Sequence, residues 1–158
     1  MNSKTKGDIS EAVIIAEFLK EGIPVSKPFG DNQPYDLIID ILGNLKKVQI
    51  KTGRIVNGCI YFRSSNSINT FLQKNKRRQS YKGKVDYIAV YCPENDGKYL
   101  ININDCTNVE TSLRILPPRL NSPNIRWAKN YILSRSSMVE QFPDTEKGVS
   151  SSLIETTV

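Results

Sequence analysis

The run Pro34-Tyr35-Asp36-Leu37-Ile38-Ile39-Asp40-Ile41-Leu42-Gly43-Asn44-Leu45-Lys46-Lys47-Val48-Gln49-Ile50-Lys51-Thr52 decides how this chain folds. Tyr35 to Ile41 alternates as a half-buried strand does, and Leu45 to Thr52 does the same. Between them, Gly43-Asn44 suits a two-residue primed turn, whose central residues take positive φ. That turn pairs Leu42 with Leu45, sets Ile38 opposite Gln49 and sets Asp36 opposite Lys51. Leu37, Ile39, Ile41, Val48 and Ile50 then share one apolar face. Asp36, Asp40, Lys47, Gln49 and Lys51 share the other, with Gln49 diagonal to Asp36 at roughly 7–8 Å. An acid, an amide oxygen and an ammonium converging beside a sheet can hold a hard metal ion and a phosphate. Such a set suits phosphodiester hydrolysis.

Composition narrows the chemistry further. The 158 residues suffice for one domain with a hydrophobic core, and 39% hydrophobic with 24% charged residues is ordinary for a soluble globular protein. No run of about 18 apolar residues predicts a membrane span, and Glu11 and Glu17 interrupt the apolar stretch near the start, which excludes a signal peptide. A cytoplasmic location follows as the expectation. The chain contains no histidine. That excludes Ser-His-Asp and Cys-His catalysis, histidine-ligated hydrolytic metals and Cys/His zinc fingers. Cys59, Cys92 and Cys106 share no metal-ligand spacing and read as buried free thiols. The formal net charge of +6 fits an anionic partner, and its distribution says more. Lys74, Lys76, Arg77, Arg78, Lys82 and Lys84 fall in one acid-free stretch.

Along the chain, Asp8 and Glu11 resemble a capping box, and the spacing of Ile9, Ala12, Val13, Ala16 and Leu19 predicts a helix over about 8–21. A short strand over 24–28 and a turn-rich loop over 30–34 precede the hairpin. Gly58 to Phe62 reads as a further antiparallel strand, 68–79 as a helix, and 85–91 and 98–103 as strands joined by the turn at 93–97. A short helix over 125–133 is expected to use Trp127 and Tyr131 as core or interface anchors. The expected architecture is α/β, with a mixed central sheet flanked by helices. One domain spans 1–133, with a core over about 7–104, a basic extension over 105–133, and a flexible C-terminal tail over 134–158 rich in Ser and Thr.

These residues resemble the restriction-endonuclease-like, or PD-(D/E)xK, nuclease superfamily, whose core order is αβββαβ. Pro34-Tyr35-Asp36 matches the first half of its motif with one residue inserted. Gln49-Ile50-Lys51 matches the second half, thirteen residues on, and Glu11 matches the acid that many members carry on the first helix. Within the superfamily, the opening helix, the PYD strand, the VQIKT strand and the YFRSSN stretch look most like the group I intron-encoded homing endonucleases of cyanobacteria. The resemblance implies cleavage of double-stranded DNA at a long specific site, with Mg²⁺ (or Mn²⁺), by a homo-oligomer, a tetramer. The departure is Gln49, which stands where the superfamily has Asp or Glu and brings no negative charge.

On this reading Asp36, the Gln49 amide oxygen and the Ile50 carbonyl hold the metal. Lys51 orients the attacking water or neutralises charge on the phosphate, and Glu11 reaches a second metal or a metal-bound water. Each residue has a plainer alternative. Glu11 can close the capping box, Asp36 can be a turn acid, and Gln49 and Lys51 can be solvated sheet residues. The expected DNA contacts are Arg54, Arg63, Ser64, Ser65 and Asn66 after the hairpin, together with Lys74, Lys76, Arg77, Arg78, Lys82 and Lys84. A basic run can equally be a solvated face. Two further readings stay open: a Holliday junction resolvase-like nuclease, and a DNA-binding module of the same fold that does not cleave.

Overall fold

Helix α1 (Ser3–Lys20) leads into strand β1 (Val25–Ser26), and the hairpin follows as β2 (Leu37–Ile41) and β3 (Asn44–Thr52). The computed structural model describes residues 1–68 and 77–141. The helix starts earlier than expected. Asn2 caps it, its side chain accepting the Thr5 N–H at 2.8 Å, so Asp8 and Glu11 lie inside the helix instead of at a capping box. Asparagine is among the best capping residues, and the helix carries Gly7 internally at a cost of roughly 0.5–1 kcal/mol.

The hairpin register also differs. Ile41 pairs with Asn44, Ile39 with Lys46 and Leu37 with Val48, so the turn is Leu42-Gly43, at φ 52° and 87°. The Asp40 carboxylate accepts the Gly43 N–H at 2.7 Å and helps to close this turn. The slip is two residues, an even number, so every side chain keeps its predicted face. Leu37, Ile39, Ile41, Val48 and Ile50 are all buried together against Ile14 and Phe18 of α1. Continuing the ladder one step sets Asp36 opposite Gln49, where Lys51 was expected.

Beyond the hairpin run β4 (Arg54–Val56), β5 (Cys59–Arg63), β6 (Ser65–Ile68), β7 (Arg77–Ser80), β8 (Tyr87–Cys92), β9 (Gly97–Asn102) and β10 (Glu110–Arg114). Among the described residues the main sheet has the order β1-β2-β3-β8-β9. β3 and β8 pair in parallel and the other neighbours are antiparallel, so the sheet is mixed, as predicted. Strand β8 lies inside the sheet, between β3 and β9, and is buried on both sides. Its Tyr87 and Ala89 join the α1 core, while Ile88, Val90 and Cys92 join a second core with Ile60, Phe62 and Leu113. That second core lies under a three-stranded sheet, β10-β5-β4. Full burial of side chains of this size stabilises by roughly 1.5–3 kcal/mol each, so two such layers give the fold its stability.

Among the described residues, α1 packs on the face of the sheet whose core holds Leu37, Ile39 and Val48, and the 3-10 turn residues Ile103 and Ala128 pack in the second core. Ile68 ends β6 and Arg77 begins β7, which corrects the helix expected over 68–79 at both its ends; the residues between lie outside the described ones. The β6–β7 ribbon pairs Ser65 with Ser80 and Ser67 with Arg78. The basic extension is built in: Thr111 and Leu113 of β10 point inward, and Trp127 bridges to Arg114. The helix expected over 125–133 is a 3-10 turn, Ala128–Tyr131, because bridges from Trp127 and Ile132 hold the chain on either side. At the expected start of the tail, Ser134 caps a short helix, α2 (Arg135–Val139), whose Met138 is fully buried. The Arg135 backbone N–H donates to Glu21 at 2.8 Å and fixes α2 to the end of α1. The three cysteines are free and buried. Among the described residues no helix is long and apolar enough to cross a membrane.

Candidate active site

Asp36 sits just ahead of β2, anchored by its own N–H to the Val48 carbonyl at 2.9 Å. Its carboxylate faces β3. One oxygen, Oδ2, accepts the Ile50 N–H at 2.7 Å and the Gln49 side-chain amide at 2.7 Å. The same Gln49 Nε2 also donates to the Ile50 carbonyl, at 3.3 Å. One buried amide thus bridges the two oxygens expected to hold a metal ion. It turns its NH₂ toward them, so ligation through its oxygen requires the amide to rotate by half a turn about its terminal bond. Burial pushes the Asp36 carboxyl above its ordinary value of 3.8, against the pull of the Ile50 N–H and the Lys51 ammonium.

Glu11 and Asp36 line one cleft of about 280 Å³, with Lys27, Asp31, Gln33 and Tyr35 on its other walls. Glu11 is ion-paired with Lys27, which follows β1. That geometry removes the capping alternative for Glu11. The Lys27 ammonium is drawn up in pKa, first by its bond to Glu11 and then by the charge of the same carboxylate, with smaller help from Asp36 and Asp31. Lys51, two residues beyond Gln49 on the same face of β3, reaches away to the Tyr81 hydroxyl and donates to it at 2.9 Å. The donor set fits a hard cation. It offers two carboxylates, a backbone carbonyl and an amide, all oxygen-bearing, with Glu11 of α1 and Asp36 on one cleft. No three acidic or thiol side chains cluster among the described residues, so such a site would be lean in charge.

The predicted DNA contacts divide. Arg63, Asn66, Arg78 and Lys82 are exposed, and Lys84 is half-buried. Arg54 is exposed too, paired with Glu110 at 2.7 Å and lying over the Tyr61 ring. Ser64 and Ser65 are buried, which corrects their assignment to a contact surface. Ser64 accepts from the Thr111 hydroxyl at 3.1 Å, and Ser65 donates to the Val109 carbonyl at 3.1 Å. Both hydroxyls pin the base of the ribbon, Ser64 to β10 and Ser65 to the residue just before it. Lys74 and Lys76 lie outside the described residues, and Arg77 is placed only as the first residue of β7. Sequence reading missed Lys27 and Tyr81. Neither carries a local signal, because each meets the site only through tertiary structure.

A family model described as PD-(D/E)XK endonuclease matches residues 1–134. No curated protein matches the chain. Among solved structures, that of the bacterial homing endonuclease I-Ssp6803I is similar, with a TM-score of 0.69 and 26% sequence identity. The alignment covers 95% of this chain and 97% of that one.

Proposed function

The chain belongs to the PD-(D/E)XK endonuclease family, and we propose that it is a homing-type endonuclease that cuts double-stranded DNA at one long sequence with Mg²⁺ or Mn²⁺. One observation carries this reading. The hairpin register sets Asp36 against Gln49-Ile50, with Lys51 next on the same face and Glu11 on the same cleft. Similarity to a homing endonuclease over nearly the whole chain supports the finer assignment.

When bound, the divalent cation supplies Lewis acidity at the phosphate and lowers the pKa of its water. Asp36 and the Ile50 carbonyl hold it, Glu11 contributes from the cleft wall, and Gln49 keeps the first two oxygens side by side. Lys51 meets the negative charge that develops on the phosphate and orients the attacking water. The ribbon presents Asn66, Arg78 and Gln79, a two-stranded element of the width that a major groove admits. Arg63 and Lys82 extend the phosphate contacts at its base.

The test is Mg²⁺-dependent cleavage of a DNA pool containing random linear sequences and four-way junctions. Discrete cuts at one recurring long site are expected. Cutting confined to junctions would make the protein a resolvase, and salt-sensitive binding without cutting would make it a binding module. A long site needs more surface than one domain offers, since single modules bury about 600–1,000 Å² on DNA. The proposed tetramer supplies it, and exposed Val56, Ile115, Leu116 and Leu120 give apolar surface for subunit contact. Sedimentation of the same preparation is expected to give the mass of four chains; a monomer at working concentration would sink that part.

Lys27 competes with a cation for Glu11. Lys27→Met is expected to tighten Mn²⁺ binding by about two- to fivefold, in line with the small worth of an exposed ion pair. Calorimetric titration with Mn²⁺ reads this directly, and unchanged or weaker affinity would show that Glu11 takes no part in holding the metal.

A further inference from the structure

Lys51 has its functional atom held by a residue from well beyond the hairpin, Tyr81. Its ammonium donates to the Tyr81 hydroxyl at 2.9 Å and lies 4.8 Å from the centre of that ring. A lysine side chain is long, and without a partner its charge samples many positions. Tyr81 is itself firmly fixed. It is 4% exposed and packs in the second core with Ile60, Phe62 and Val85. Its N–H donates to the Ser64 carbonyl at 3.3 Å, and its carbonyl accepts from Lys84 and Val85 at 3.0 and 3.2 Å. Ser64 precedes β6 and Tyr81 follows β7, so this one bond closes the base of the ribbon.

We propose that Tyr81 is a positioning residue for Lys51: its hydroxyl sets where the ammonium stands, and its backbone ties that position to the base of the DNA-facing ribbon. The inference rests on the nuclease reading of Lys51. It makes the ribbon's seat and the catalytic lysine share a single rigid side chain, so seating of the ribbon on DNA is felt at the reacting phosphate. The phenol is an acceptor for the ammonium and a donor toward water or phosphate, and the ring beneath keeps the charge attractive to the site even when the hydroxyl bond turns over.

Tyr81→Phe keeps the ring and its packing and removes only the hydroxyl. The measurement is single-turnover cleavage of the duplex recovered from the pool, with wild type, Tyr81→Phe, Lys51→Ala and the double variant. Duplex affinity is measured alongside in Ca²⁺. The expected result is about a tenfold slower cutting step in Tyr81→Phe with duplex affinity unchanged, and no further loss when Tyr81→Phe is added to Lys51→Ala. A purely structural role would slow both backgrounds by the same factor, and that outcome overturns the proposal. So does an unchanged cutting rate, or a loss confined to binding. If the wild type cuts no DNA, the nuclease reading falls and this role with it; a wild type that cuts while Tyr81→Phe matches it removes Tyr81 alone.

Discussion

Asp36→Asn is expected to abolish cleavage while making the fold more stable. The loss follows from removing the one carboxylate that both faces Gln49 and takes the Ile50 N–H, and should be on the order of 10³-fold in the cutting step. The gain in stability follows from the same burial. The Asp36 carboxyl titrates above its ordinary 3.8, chiefly because burial penalises the charge. The folded chain therefore binds that proton more tightly than the unfolded chain. The stability this contributes is complete below about 3.8 and is lost as pH rises through the folded-state value. At neutral pH the ionised carboxylate is a cost to folding, the cost that its proposed part in holding the metal sets against stability. Asparagine bears no such charge, and its oxygen can still take the Ile50 and Gln49 hydrogen bonds. Thermal melts in EDTA should show the variant above wild type at pH 7, with the gap closing toward pH 4. A variant that melts lower at pH 7 would show that the carboxylate's hydrogen bonds outweigh its burial.

Lys51→Ala is expected to slow cutting by about 10²–10⁴-fold and to leave duplex affinity nearly unchanged. The reasoning is geometric. Lys51 stands on the polar face of β3 beside Gln49, and its charge is near enough to Asp36 to lower that carboxyl's affinity for its proton. It is one cation among many on a chain of net charge +6, so binding hardly depends on it. Tyr81 would lose its partner, which costs the fold about 1 kcal/mol. Cutting within threefold of wild type would remove Lys51 from the reaction.

The β2–β3 hairpin was legible in the sequence because its alternation fixes faces, and faces survive a slip of two residues. The register itself was not. Gly43-Asn44 has the chemistry of a primed turn, yet the chain places Leu42 at φ 52°, a conformation that a branched side chain adopts at some cost. Pairing Leu37 with Val48 and bonding Asp36 to Ile50 outweigh that local preference, and both are contacts between distant positions. The same explanation covers Glu11: Asp8 and Glu11 form a plausible box, but Asn2 caps first. Strand β10 left a weak signal in Thr111 and Leu113, inward-facing against Glu110, Ser112 and Arg114. Ser64 and Ser65 looked like surface because serine usually is, and only the neighbouring Thr111 and the Val109 carbonyl show why they are buried. Lys27 and Tyr81 had no local signature at all.

The parallel pairing of β3 with β8 has a consequence for how the molecule comes into being. β3 ends at Thr52 and its partner begins at Tyr87, so a chain emerging from the ribosome completes the hairpin well before the strand that covers its open edge. Such non-local pairing is intrinsically slow, since loop closure precedes any reward. During that interval β3 presents unpaired backbone to its surroundings, the situation in which strands of different molecules add to one another. Lys46, Lys47 and Lys51 lie along that strand, and a run of ammonium groups on a waiting edge repels its own copies. On this view the lysine proposed to serve the reaction in the finished protein first serves as a guard on the unfinished one.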